Sequence, residues 1–233
     1  MKRCALSLGS MILLWLLAAY LILPLMWQRW AARHPYLKDA PQRTRTKDGI
    51  EGDPVNLAVI GSRDELTRAM TAAGWMTADK ITMGSSTKIA ISSIFGTRYV
   101  TAPVSNLYLF GRKQDLAFQQ PAGKDASKRH HVRFWKAEQK DECGREVWFG
   151  AATYDSRVGL SHTTLQFTHH IDAEVDKERD KVITDLEKSG VLASTDWMDD
   201  FHTEREGKNG GGDRYRTDGR LAIATIQFPD ATE

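Results

Sequence analysis

The sequence predicts an α+β domain, an antiparallel sheet with helices packed on one face, preceded by one transmembrane helix. Three observations carry that reading. An uncharged apolar run from Cys4 to Trp27 opens the chain. Two stretches, after Ser62 and after Asp172, carry apolar residues at helical spacing. From Pro103 onward, short β-branched and aromatic runs alternate with polar, glycine-containing turns, the pattern of strands joined by hairpins.

The apolar run comes first. At 1.5 Å per residue it would span roughly 30 Å of hydrocarbon as one helix. Lys2 and Arg3 precede it, Arg29 and Arg33 follow it, and Trp27 and Trp30 fall where an interfacial aromatic belt would sit. A secretory signal would have an apolar core of about 7–15 residues, followed by small residues at a cleavage site. Here the run is longer and Trp27-Gln28-Arg29-Trp30 follows it. Residues 1–30 are therefore expected to be an uncleaved, single-pass membrane anchor. The basic residues Arg29, Arg33, Lys38, Arg43, Arg45 and Lys47 would hold the domain in the cytoplasm by the positive-inside rule. Simple insertion with Lys2 and Arg3 inside would export it, so the orientation stays open. Residues 31–53 read as a basic, proline-containing linker, 54–190 as the α+β domain, and 191–233 as a tail with a terminal strand.

Composition narrows the function classes. Lys and Arg number 32 against 30 Asp and Glu, so no strong global field points to nucleic acid. Seven Trp and eight Phe, spread along the chain, argue for a folded core. Cys4 lies in the opening run and Cys143 in the domain, which excludes a disulfide within the domain and a cysteine-rich zinc site.

Within the domain, Val55–Gly61 is a β-branched run ending in glycine. Ser62-Arg63-Asp64-Glu65 forms a capping box, and Leu66, Ala69, Met70 and Ala73 give an apolar face to a helix that ends at Gly74. A second helix is expected over Ser85 to Phe95, with a strand through Ile89, Ile91 and Ile94 as the alternative. Leu107–Phe110 and Asp115–Phe118 flank Gly111–Gln114 as a hairpin. Strands then follow at His130–Trp135, Glu146–Tyr154 and Thr163–Ile171. Asp172 caps a helix through Lys188, with Val175, Val182, Ile183 and Leu186 as its stripe. Gly207–Gly212 is a turn, lacking the Lys and Ser of a phosphate-binding loop. Arg220–Phe228 alternates as a last strand.

Histidine clustering is the unusual chemical feature. Alternate residues of a strand share a face, which puts Arg129, His131 and Arg133 on one side and His130 on the other. By the same alternation His162, His170 and Asp172 share a polar row, while His169 faces the core. Arginine forks match phosphate or carboxylate, so Arg129, His131 and Arg133 are an anion-binding candidate. His131, His170 and Asp172, with Asp155 nearby, are a candidate set for a divalent metal such as zinc. Eight residues of extended strand would separate His162 from His170 by about 27 Å, which bars both from one ion unless the chain bends.

Pro103-Val104-Ser105-Asn106-Leu107-Tyr108-Leu109-Phe110-Gly111-Arg112, Gln114–Gln120, Arg129–Trp135, Trp148–Asp155 and Thr168–Asp172, followed by Asp176, Glu178, Arg179 and Asp180, resemble the LssY C-terminal-domain family over about Pro54 to Gly190. The resemblance implies a bacterial membrane-associated domain without a firm assigned activity, and hence an inner-membrane location. The expected function is an accessory or binding module that recognises membrane lipids of anionic character or a membrane protein partner. The alternative is a metal-dependent hydrolase acting near the membrane surface.

Overall fold

The computed structural model describes residues 11–26, 37, 39–78, 105–123, 128–163 and 167–228. In chain order its elements are helix α1 (residues 11–26), β1 (Arg43–Arg45), β2 (Glu51–Pro54), β3 (Leu57–Ile60), α2 (Arg63–Ala72), β4 (Met76–Thr77), β5 (Tyr108–Leu109) and β6 (Arg112–Lys113). There follow β7 (Leu116–Pro121), β8 (Arg129–Lys140), β9 (Glu146–Leu160), β10 (Phe167–Ile171) and α3 (Val175–Lys188). The chain closes with β11 (Leu192–Met198), β12 (Glu206–Lys208), β13 (Arg214–Arg216) and β14 (Leu221–Ile226).

Strand accounts for 42% of the described residues and helix for 24%. The α+β expectation is therefore corrected to a mostly β fold with few helices. The difference arises at both ends of the domain. Short strands β1, β2, β5 and β6 form a separate four-stranded sheet, and the stretch read as a tail contributes β11 to β14. The expected transmembrane helix is also corrected, and with it the single-pass and inner-membrane expectations. The described part of helix α1 has 16 residues, rising about 24 Å against the roughly 30 Å of a bilayer core. Among the described residues, no helix is long and apolar enough to cross a membrane. Lys2, Arg3, Trp27, Trp30 and the expected helix over Ser85–Phe95 lie outside the described residues.

The main sheet runs β11-β14-β3-β9-β8-β7-β4, with β10 paired to the outer half of β9. Its pairs are antiparallel except β14 with β3, which is parallel. A parallel neighbour needs a crossover, and almost the whole domain lies between β3 and β14. Antiparallel hairpins build the middle; the last strand returns to pair with the first strand of that sheet.

One face of the sheet is apolar. Val59, Phe118, Val132, Phe134, Trp148, Ala152 and Ala224 pack there with Leu66, Ala69 and Met70 of α2 and Val182, Ile183 and Leu186 of α3. The capping box at the start of α2 is present in both directions, Ser62 Oγ accepting from Glu65 N–H and Glu65 from Ser62 N–H. Asn56, fully buried, donates from Nδ2 to the carbonyls of Ala152 and Val175 and accepts from Ala152 N–H. It thereby ties the approach to β3 to both β9 and α3. The predicted hairpin around Gly111 is tighter than expected. Phe110 and Gly111 both have positive φ, 51° and 72°, so β5 and β6 close over two residues. The next strand, β7, leaves for the main sheet.

Candidate functional site

The opposite face of β8 and β9 is polar and closed. Cross-strand register sets Arg129 against Asp155, and His131 against both Thr153 and Gln119. Arg129 donates from Nε to Asp155 Oδ2 at 2.9 Å and from Nη1 to Gln119 Oε1 at 3.1 Å. Arg133 donates from Nη1 to Asp53 Oδ2 at 2.9 Å, and its other nitrogens reach Ser105 O and Oγ, each at 3.0 Å. His131 Nε2 meets Thr153 Oγ1 at 2.7 Å. Its Nδ1 lies 3.3 Å from Asp155 Oδ1, near enough for attraction but too poorly aligned for a hydrogen bond.

Electrostatics follow from that packing. Burial opposes ionisation of Asp155, yet His131, His169 and Arg129 together outweigh it and hold the carboxyl well below the usual carboxylate range. Burial draws His169 down to about 4, against the pull of Asp155, and the neighbouring Arg129, His131 and Arg133 reinforce the shift. His169 is therefore neutral at pH 7. Two arginines face two carboxylates, so the cluster is internally balanced. The expectation that His169 faces the apolar core is corrected: it belongs to this polar face. Arg129, His131 and Arg133 do share a face, as the alternation requires, but each guanidinium is buried and held by partners of this chain.

His130 points the other way, toward the helices. Its Nδ1 lies 2.8 Å from Glu178 Oε2. Burial pushes the Glu178 carboxyl up, against the stabilising pull of His130, His131 and Lys181. Glu178 Oε1 has no hydrogen-bond partner among the described residues.

A third arrangement brings together residues that the sequence kept apart. Strand β9 runs on to Leu160, the chain turns at residues 161–163, and β10 returns antiparallel from Phe167. His162 therefore sits in a turn rather than in a strand, and the separation of about 27 Å for an extended chain does not apply. The His162 and His170 rings lie 5.1 Å apart. Asp213, at the end of the β12–β13 turn, completes the group: one ligand atom from each of His162, His170 and Asp213 lies within 4.8 Å of the others. Among the described residues this is the one such group of histidine, cysteine and carboxylate donors.

The surrounding chain fixes this geometry. Asn209 Oδ1 accepts from the backbone N–H of Gly211 and Asp213, and Asn209 N–H donates to Asp213 O. Asp213 Oδ1 then meets His170 Nδ1 at 2.6 Å, while Oδ2 accepts from Ile171 N–H at 3.3 Å. His162 N–H donates to Gly211 O at 2.9 Å, joining the two turns. A Cβ on Gly159 would lie 2.8 Å from His170 Nε2, so the ring occupies space that only glycine leaves. His170 and Asp213 are 2% and 9% exposed, whereas His162 is open to solvent.

Of the predicted metal set, only His170 belongs to this group. His131 is engaged with Thr153 in the closed cluster. Asp172 Oδ1 accepts from Glu174 N–H at 2.8 Å, at the entry to α3. Asp213 and Asn209 were not singled out from the sequence. The Asn-Gly-Gly-Gly-Asp run signals a sharp turn, but nothing in the run says which strand that turn will meet.

The fold and the site define a mostly β domain whose open donor cluster lies where two hairpins converge. The chain belongs to the LssY C-terminus family, whose family model matches residues 37–221. That span runs from before β1 to the start of β14, so it takes in Asp213 and the strands once read as a tail. No curated protein and no solved structure matches the chain.

Proposed function

We propose that this domain binds a divalent metal ion of the zinc class through His162, His170 and Asp213. The observation that carries the reading is the convergence of three ligand atoms within 4.8 Å, drawn from three separate segments. Two imidazoles and one carboxylate suit zinc better than magnesium or calcium, which prefer oxygen donors. Bonds of about 2.0–2.1 Å in tetrahedral geometry would set donors about 3.3 Å apart. Opening the His170–Asp213 contact slightly and swinging exposed His162 inward would reach that spacing. Three protein donors leave a fourth position for water, the arrangement of metal sites that activate water rather than only brace a fold. Metal-dependent hydrolysis is accordingly the reaction class that the site fits.

The reading of Arg129, His131 and Arg133 as an external anion site has less support, because both guanidiniums are already bound to buried carboxylates. The test is zinc titration by calorimetry, with metal analysis of the purified full-length chain. One zinc per chain is expected in the wild type, with affinity lowered about 100-fold or more in His170→Ala and Asp213→Ala. Absence of stoichiometric binding, or binding unchanged in both variants, would overturn the proposal.

A further inference from the structure

We infer that the same site takes a tetrahedral oxyanion of the phosphate class, held between the metal ion and Arg157. The inference rests on the metal reading above and adds the chemistry of its ligand. Arg157 stands directly opposite His170 in the β9–β10 ladder. Directly paired residues of an antiparallel ladder project to the same face, with Cβ atoms about 4.5–5.5 Å apart. Arg157 therefore leaves the sheet on the same face as the imidazole that would hold the ion. Gly159, the next residue on that face of β9, leaves room for the His170 ring, whose Nε2 lies 2.8 Å from where a Cβ would stand.

Arg157 also differs from the other arginines of the strand pair. Arg129 and Arg133 are buried against carboxylates. Arg157 is exposed, and its side chain has no ion pair or hydrogen bond among the described residues. Its fork is thus available to an external ligand, and arginine matches the oxygens of phosphate in bidentate fashion. Charge points the same way. A dication, the Asp213 carboxylate and Arg157 sum to two positive charges, against about −1.5 to −2 for a phosphate monoester at pH 7. A monocarboxylate would leave one positive charge uncompensated and would offer fewer oxygens to bridge ion and fork.

The test uses the full chain loaded with cobalt(II), whose visible absorption reports ligands entering the open position. Phenylphosphonate is titrated as a non-hydrolysable monoester stand-in, with benzoate as the carboxylate control. Phenylphosphonate is expected to change the wild-type spectrum and to bind at least about tenfold more tightly than benzoate. Arg157→Gln is expected to weaken phenylphosphonate about tenfold or more while leaving cobalt affinity within about twofold. Arg157→Lys, which keeps the charge and loses the fork, should fall between. Equal phenylphosphonate binding in wild type and Arg157→Gln, or no spectral response in the cobalt-loaded wild type, would overturn this inference and leave the metal site standing. Failure of cobalt itself to bind in a manner dependent on His170 and Asp213 would overturn both.

Discussion

His169 and His170 are neighbours in the chain, yet they serve two different environments. His169 joins Arg129, His131, Arg133 and Asp155 on a closed face where burial keeps it neutral. His170 turns to the other face and meets Asp213 and His162 beside solvent. Both clusters contain histidines and aspartate, so residue type does not separate them. What separates them is whether positive charge has already been answered from within. The closed cluster contains its own carboxylates for each arginine. The open one gathers donors around one carboxylate and leaves positions for something from outside. A histidine cluster becomes a candidate site when its donors converge and remain available, not merely when they are numerous.

The largest effect expected tests the closed side. Asp155→Ala would leave Arg129 buried without its carboxylate, and breaking such a pair costs about 3–5 kcal/mol. Urea unfolding should show that loss, whereas zinc affinity of the folded variant should stay within about threefold of wild type. A variant as stable as wild type would show that the cluster is not internally dependent on that carboxylate.

Zinc supplies the next effect, on the open side. At free zinc about 100 times the dissociation constant, linkage stabilises the folded chain by about 2.7 kcal/mol. Wild-type unfolding should shift by that amount and return on chelation. His170→Ala should not respond, and an equal response there would locate the ion elsewhere.

Acid and base should separate the two faces of the sheet further. Asp155 titrates below its ordinary 3.8 in the folded state, held down by His131, His169 and Arg129. Its stabilising contribution is present above about pH 3.8 and is lost as pH falls through the lower folded value. Glu178, buried beside His130 and within the field of His131 and Lys181, titrates above its ordinary 4.5. Its contribution is present below about pH 4.5 and is lost as pH rises through the higher folded value. The stability of Glu178→Gln relative to wild type should therefore grow as pH rises past 4.5. A flat difference between pH 4 and pH 8 would contradict that sign.

Gly159→Ala is the mildest of these tests. The added methyl would lie 2.8 Å from His170 Nε2, so the ring must shift against the hold of Asp213. Stability should fall by about 1–2 kcal/mol, with zinc affinity reduced about tenfold. Unchanged affinity would mean that His170 has more freedom than its packing implies.

Local patterns were legible where the physics is local. The capping box at Ser62 and Glu65, the stripe of α3, and the facing of Arg129, His131 and Arg133 each depend on residues a few positions apart. The β9–β10 connection was not legible. Strand propensity continued across residues 161–166 without a glycine or proline to mark the bend, and that one misplacement hid the meeting of His162 with His170. The apolar opening run shows the same limit: its composition allows a long helix, while among the described residues no helix is long and apolar enough to cross a membrane.

The sequence by itself determined helices α2 and α3, most strands of the central hairpins, the sorting of polar from apolar residues on β8, and the membership of a family. Those features follow from side-chain period and capping, which are short-range. Only the tertiary structure decided that β14 lies beside β3, that Arg129 and Arg133 are answered by Asp155 and Asp53, and that Asp213 reaches His170. Each of these joins residues distant in the chain, and no local periodicity encodes which distant partner will lie across the sheet.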